Sequence, residues 1–216
     1  MKDSPPEKGQ LEHAAIKSFG SIIIGVDEVG RGCLAGPIFA AAICLDYPSI
    51  NKLGSEKKLI RDSKTLSKKQ RLHILPALIN SARCWGVAMA TPREIEQMGI
   101  SGANFLAMKR ALAICEEPDL VLVDGNQKIP GLKPPQQAVI KGDSSTYCIA
   151  GASIIAKTHR DSYMSQAHEI YPHYGFDSNV GYGTKSHMEA LKVRGASVIH
   201  RRNFSPIKEM LADIRG

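Results

Sequence analysis

Ile22-Ile23-Ile24-Gly25-Val26-Asp27-Glu28-Val29-Gly30-Arg31-Gly32 is an apolar, largely β-branched run that stops at two adjacent carboxylates and a glycine-arginine-glycine turn. Such a run predicts a buried strand. Charge beside charge at a buried strand end is costly unless a cation compensates it. The natural partner of Asp27 and Glu28 is therefore a divalent metal. Side chains alternate along a strand, so both carboxylates reach one site only if the chain bends. Gly30 and Gly32 supply the freedom to bend.

The pattern recurs further along. Asp119-Leu120-Val121-Leu122-Val123-Asp124-Gly125 is a second apolar strand ending in a carboxylate, and Ala138-Val139-Ile140-Lys141-Gly142-Asp143 reads as a third. Between them the chain alternates strand and helix. Ala35 to Leu45 and Cys84 to Ala90 read as strands. Helices are expected from the capping pattern at Ser67 to Asn80 (with Pro76 inside), from Pro92, over 101–115, over 145–165, over 185–194 and over 205–214. This order predicts an α/β fold, antiparallel strands first and parallel ones later, with sites at the carboxyl ends of the strands. Asp27, Glu28, Asp124 and Asp143 gathered at one sheet edge would repel one another unless divalent cations bind. Hard oxygen ligands favour Mg2+ or Mn2+ over zinc.

Composition narrows the class. With 216 residues, 43% of them hydrophobic, the chain is expected to be one domain with at most a small appendage. No run approaches the ~18 apolar residues of a membrane span. Met1 to Gly20 is polar, lacks the apolar centre of a signal peptide and is expected to fray. The scattered cysteines, 5 in all, show no metal-ligand spacing and point to reduced thiols in a cytoplasm. A net charge of +7 spread along the chain suggests a folded groove for a polyanion. Near the C-terminus Tyr171, Tyr174, Phe176 and Tyr182 interleave with Lys185, His187, Lys192, Arg194, His200, Arg201 and Arg202. Rings to stack on and cations for phosphates suit nucleic acid.

Taken together, Gly25–Gly32, Asp62-Ser63-Lys64, Val123-Asp124-Gly125, Lys141-Gly142-Asp143 followed by Ala152–Lys157, Gly181-Tyr182-Gly183-Thr184 and His200-Arg201-Arg202 resemble bacterial ribonuclease HII, in the family's order and over residues 20–207. Small departures are Val29 and Gly151 where the family usually has Ala, Cys33 where it has Pro, and Asn179-Val180 in place of His-Lys. The resemblance implies a ribonuclease H-like mixed sheet flanked by helices, over residues 20–170. Before it would stand a flexible segment, 1–19, and after it a helical substrate-binding appendage, 171–216.

It further implies a cytoplasmic, monomeric endonuclease that hydrolyses the RNA strand of RNA–DNA hybrids. The enzyme would cut 5′ of ribonucleotides embedded in duplex DNA, leaving 3′-hydroxyl and 5′-phosphate ends by two-metal-ion catalysis with Mg2+ or Mn2+. The family's metal-binding carboxylates map onto Asp27, Glu28, Asp124 and Asp143, its 2′-hydroxyl-sensing loop onto Gly30, Arg31 and Gly32, and its junction-sensing tyrosine onto Tyr182. Lys64, Lys141, Lys157 and Lys185 are candidate phosphate contacts. Asp62 competes as a fifth carboxylate, with a structural role expected, and Asp161 is expected to be solvated or paired with Arg160. Two other readings stand beside this one. The sister ribonuclease HIII usually carries an added N-terminal domain for which the segment before the first strand leaves no room. A non-catalytic nucleic-acid-binding module leaves the Asp-terminated strands unexplained.

Overall fold

The opening run forms β1 (Ile23–Val29), which lies at the centre of the sheet. On one side β1 pairs antiparallel with β2 (Ile38–Cys44), which pairs antiparallel with β3 (Cys84–Ala90). On the other it pairs parallel with β4 (Leu120–Asp124), which pairs parallel with β5 (Gln136–Val139). The strand order is β3-β2-β1-β4-β5, the mixed arrangement that the sequence predicts. The computed structural model describes residues 8–61 and 65–213. Its helices are α1 (Gln10–Phe19), α2 (Tyr47–Lys52), α3 (Lys57–Arg61), α4 (Lys68–Ser81), α5 (Pro92–Leu112), α6 (Gly142–Ser145), α7 (Tyr147–Ile170), α8 (Phe176–Asn179), α9 (Lys185–Arg194) and α10 (Ile207–Asp213).

Alternation along the strands sends apolar side chains to both faces. Ile24, Val26, Ala40 and Ala42 pack under α5 against Ala103, Ala107 and Met108. Ala41 and Ile43 face the other way, onto Ile74 and Leu78 of α4 and Ala152 and Ile155 of α7. Each fully buried large aliphatic contributes roughly 1.5–3 kcal/mol. α7 presses so closely on β1 that a Cβ at Gly25 would stand 2.3 Å from the backbone of Cys148. Only glycine fits there.

Several expectations change. Residues 10–19, expected to fray, form α1, because the buried Glu12 carboxylate accepts the backbone N–H groups of Tyr147 and Cys148 at the start of α7. Ala15 joins Ile23 and Leu120 beneath it. The helices expected from Pro92 and over 101–115 run on as one element, broken only at Gly99, whose φ of 74° and ψ of 169° are not helical. β5 stops at Val139, and Asp143 stands in the short turn of α6 rather than at a strand end. Lys141, at φ 55° and ψ 42°, supplies the left-handed step that turns the chain. Asp161 pairs with Arg71 of α4 at 2.7 Å, not with Arg160, because successive helical residues point about 100° apart.

Beyond α7 the chain builds a cluster of its own, in which Tyr174, Phe176, Leu191 and Ile207 pack on Met164 and on Leu34 and Ala35 from the loop after β1. No helix among the described residues is long and apolar enough to cross a membrane. Asp62 and Lys64 lie outside the described residues.

Candidate active site at the carboxyl ends of β1 and β4

β1 stays paired with β2 through Asp27, Glu28 and Val29, so it does not bend at the two carboxylates as the sequence predicts. They keep to opposite faces of the sheet. Asp27 points toward α7, beside the Ser153 hydroxyl, and Glu28 points toward α5, beside the Asn104 amide. The meeting point is the strand end. Parallel pairing of β1 with β4 runs to Val26–Val123, so Asp27 and Asp124 follow on neighbouring strands, and the charge of Asp124 acts on both Asp27 and Glu28.

Burial, then repulsion from Asp124 and Glu28, pushes the Asp27 carboxyl up to about 7. Burial also raises Glu28, opposed by the neighbouring Arg31 guanidinium, whose Nη1 stands 3.3 Å from Glu28 Oε1. Asp124 Oδ1 accepts the backbone N–H of Gly142 at 2.8 Å, which places buried Asp143 one residue from that anchor. Among the described residues no group of three or more His, Cys, Asp and Glu side chains already stands arranged to hold a metal ion. The donor set nevertheless fits a hard divalent cation. Its atoms are carboxylate oxygens, and their mutual repulsion is what such an ion relieves.

Lys157 belongs to the same neighbourhood. Its Nζ lies 2.9 Å from Ser153 Oγ, the hydroxyl that serves Asp27. Lys141 is exposed beside α6, and Lys185 is exposed at the first position of α9. Lys64 is outside the described residues.

The loop after β1 is held from beneath by two buried arginines that the sequence marks only as positive charges. Arg201 is 0% exposed and donates to Gly30 O at 2.6 Å, Arg31 O at 2.8 Å and Gly36 O at 3.0 Å. Arg160 reaches Ala35 O and Pro37 O, both at 3.3 Å. Burial, with Arg160 alongside, lowers Arg201 to about 10, still charged at neutral pH. Gly30 has φ 92°, and a Cβ there would stand 2.2 Å from Arg160 Nε, so the fold itself requires glycine. At Gly32 a Cβ would meet nothing within 4 Å. Among the described residues nothing demands glycine at 32, which leaves that side open for a ligand to approach the backbone.

Tyr182 lies against this loop. Leu34 N and Ala35 N both donate to Gly181 O, at 2.8 and 3.3 Å, and the Tyr182 hydroxyl lies beside the Cys33 thiol. Its phenol end is thus tucked in, while the residue as a whole is 47% exposed. Asn179, a departure from the family pattern, shapes the turn that presents it: the side chain accepts from Gly181 N at 2.8 Å and the backbone carbonyl from Tyr182 N at 2.9 Å. His187, His200 and Arg201, read from the sequence as groove cations, are instead interior.

The chain is similar to known proteins over most of its length. The family model described as ribonuclease HII matches residues 24–206. Ribonuclease HII of Idiomarina loihiensis is 45% identical over 194 residues, covering 89% of this chain and 100% of the relative. That of Pelagibacter ubique is 46% identical over 192 residues, covering 88% and 99%. The crystal structure of ribonuclease H2 from Pyrococcus horikoshii superposes with a TM-score of 0.75 at 25% identity, over 89% of this chain and 98% of that one. The fold is shared as well with Bst-RNase HIII, solved in complex with Mn2+, at a TM-score of 0.69 and 24% identity over 92% of this chain and 72% of that one. The fold is ribonuclease H-like, and the chain belongs to the ribonuclease HII family, metal-dependent ribonucleases H that act as endonucleases on RNA–DNA hybrids.

Proposed function

We propose that this chain cuts the RNA strand of hybrids and the 5′ side of single ribonucleotides embedded in duplex DNA, leaving a 3′-hydroxyl and a 5′-phosphate. Asp27, Glu28, Asp124 and Asp143 hold the divalent ions, Mg2+ or Mn2+. The observation that carries the reading is the adjacency of Asp27 and Asp124 at the ends of two parallel strands, beside a loop built to let a ligand reach its backbone. A bound pair of divalent ions supplies an activated water and charge neutralisation at the departing 3′-oxygen.

The chain's own groups do the rest. The backbone of Gly30, Arg31 and Gly32, fixed by Arg201, meets the ribose 2′-hydroxyl, the group that distinguishes RNA from DNA. The half-exposed ring of Tyr182 packs on the neighbouring deoxyribose, where an extra hydroxyl would be unwelcome. Ser153 and Lys157 orient Asp27 from α7. Lys141 and Lys185, both exposed, grip phosphates, and we assign Lys64 the same part. Residues 171–216, with their own apolar cluster, form the substrate-binding appendage. The free cysteines fit a reducing, cytoplasmic setting.

The test is incubation with a DNA duplex carrying one ribonucleotide, with Mg2+ or Mn2+, and identification of both product ends. The reading requires one cut 5′ of the ribonucleotide with 3′-hydroxyl and 5′-phosphate ends. A cut 3′ of the ribonucleotide, a cyclic phosphate end, or cleavage unaffected by a chelator would contradict it.

A further inference from the structure

Cys44 is the last residue of β2 and Cys84 the first of β3, and the antiparallel register sets them opposite one another. Residues so paired have Cα atoms about 4.5–5.5 Å apart. Disulfide-bonded cysteines span about 4.4–6.8 Å, so the register alone brings the two within bonding reach. Their side chains share the α5 face of the sheet, where Cys115, just past the end of α5, packs into the same apolar cluster. The Cys84 thiol lies beside those of both Cys44 and Cys115. Three thiols from two strands and a helix end therefore meet at one point. The other two cysteines are differently engaged: Cys148 faces the carbonyls of Ile23 and Leu45, and Cys33 faces Tyr182.

We propose that Cys84 is an oxidant-reactive thiol that closes a reversible intramolecular disulfide within this cluster, with Cys44 the partner favoured by register. Cys84 and Cys115 are only partly buried, whereas Cys44 is 1% exposed, so a small oxidant reaches Cys84 before Cys44. Between its two neighbours the Cys84 thiol is lowered, while those of Cys44 and Cys115 are pushed up. The thiolate is the nucleophile in such chemistry.

With a peroxide as oxidant the steps balance. The Cys84 sulfur attacks a peroxide oxygen, the O–O bond breaks, and a sulfenic acid forms with release of one water. A neighbouring thiol then attacks that sulfur: the S–S bond forms, the S–O bond breaks, and hydroxide leaves with the second thiol's proton as another water. Two thiols are oxidised and one peroxide is reduced. A partly exposed bridge of this kind is open to thiol attack, so a dithiol returns the reduced state. The cluster pairs with the start of β1, at Ile24, whereas Asp27 and Glu28 lie opposite Ala41 and Ala40, so the carboxylates are at the other end of that strand.

The test exposes the full native chain to limiting hydrogen peroxide and follows it by thiol titration, intact mass and peptide mapping. The chain should lose two of its 5 thiols and two hydrogens, yield a linked peptide joining Cys84 to Cys44 or Cys115, and recover its thiols with dithiothreitol. Cys84→Ser should keep its remaining thiols and its nuclease activity under the same exposure. Should that variant fold poorly, brief alkylation of the native wild type reads the same property, with Cys84 modified first. No thiol loss, a bridge through Cys33 or Cys148, a disulfide-linked dimer, or alkylation elsewhere ahead of Cys84 would overturn the proposal.

Discussion

Nε2 of His187 and Nε2 of His200 lie 3.0 Å apart in the interior of the C-terminal cluster, and their surroundings fix which of them donates. His187 Nδ1 faces the carbonyl of Tyr182 at 2.8 Å and must carry a proton, leaving its Nε2 as acceptor. His200 Nδ1 accepts from the backbone N–H of Ser197 at 2.9 Å, so His200 Nε2–H donates to His187. Both rings are neutral, and a continuous chain of hydrogen bonds runs from Ser197 to the backbone of Tyr182. Burial, then His187, pulls His200 down to about 4, and burial also lowers His187.

That pair predicts a pH dependence. Depressed folded-state values mean that the unfolded chain binds more protons between the ordinary histidine value of 6.5 and about 4, so the pair's contribution is present above 6.5 and is lost as pH falls toward 4. Asp27, raised to about 7, acts oppositely in the same window, so wild type alone is not diagnostic. Compared with His200→Asn, the wild type should lose about 2 kcal/mol more stability between pH 7 and pH 4.5, read from denaturant melts. Equal losses would remove the neutral-pair assignment.

Arg201 should not tolerate lysine. A single ammonium cannot meet the carbonyls of Gly30, Arg31 and Gly36 together, and orphaned buried acceptors cost about 1–3 kcal/mol each. Arg201→Lys should lower stability by roughly 2–4 kcal/mol and reduce cutting at a single ribonucleotide more than it weakens duplex binding. Unchanged unfolding and unchanged turnover would mean that the loop holds its shape without the clamp.

Tyr182 divides into ring and hydroxyl. Tyr182→Phe removes only the contact with Cys33 and should cut a single-ribonucleotide duplex within about twofold of wild type. Tyr182→Ala removes the packing surface, worth about 1–3 kcal/mol for an aromatic stacked on a nucleotide, and should lower cleavage about tenfold or more. Steady-state rates on that duplex, with circular dichroism as the folding check, decide it. A wild-type rate and cut position for Tyr182→Ala would exclude it as the junction reader.

Asp27 is held against its own preference. In chelator, Asp27→Asn should melt no lower than wild type, because the substitution removes a buried charge repelled by two others. Saturating Mn2+ should reverse the order, since an ion at a hundred times its dissociation constant stabilises by ~2.7 kcal/mol and the variant binds it poorly. Equal Mn2+-induced shifts in the two proteins would place the ion elsewhere.

How much of this was legible beforehand depended on distance along the chain. β1 and β4 could be read because each is a local apolar run closed by a carboxylate, and the pairing of parallel strands then brings Asp27 beside Asp124. Asp143 reads as a strand end because Ile140 continues the apolar run, and the left-handed step at Lys141 has no local signal that outweighs that run. Arg201 and Arg160 were not legible as interior residues. Arginine is seldom fully buried, and the carbonyls that make it possible here come from a loop 171 residues away in the case of Gly30. The neutral histidine pair was hidden for the same reason. The HIII-type and binding-module alternatives failed differently, the one on its lower likeness and the other on the family to which the chain belongs.

The most direct test of the carboxylate site is single-turnover cleavage of an RNA–DNA hybrid by Asp124→Asn, with hybrid affinity measured in parallel. Loss of an ion ligand at unchanged shape should lower the rate about a thousandfold or more while leaving affinity within a few-fold of wild type. An Asp124→Asn protein that cuts at a near-normal rate would contradict the account.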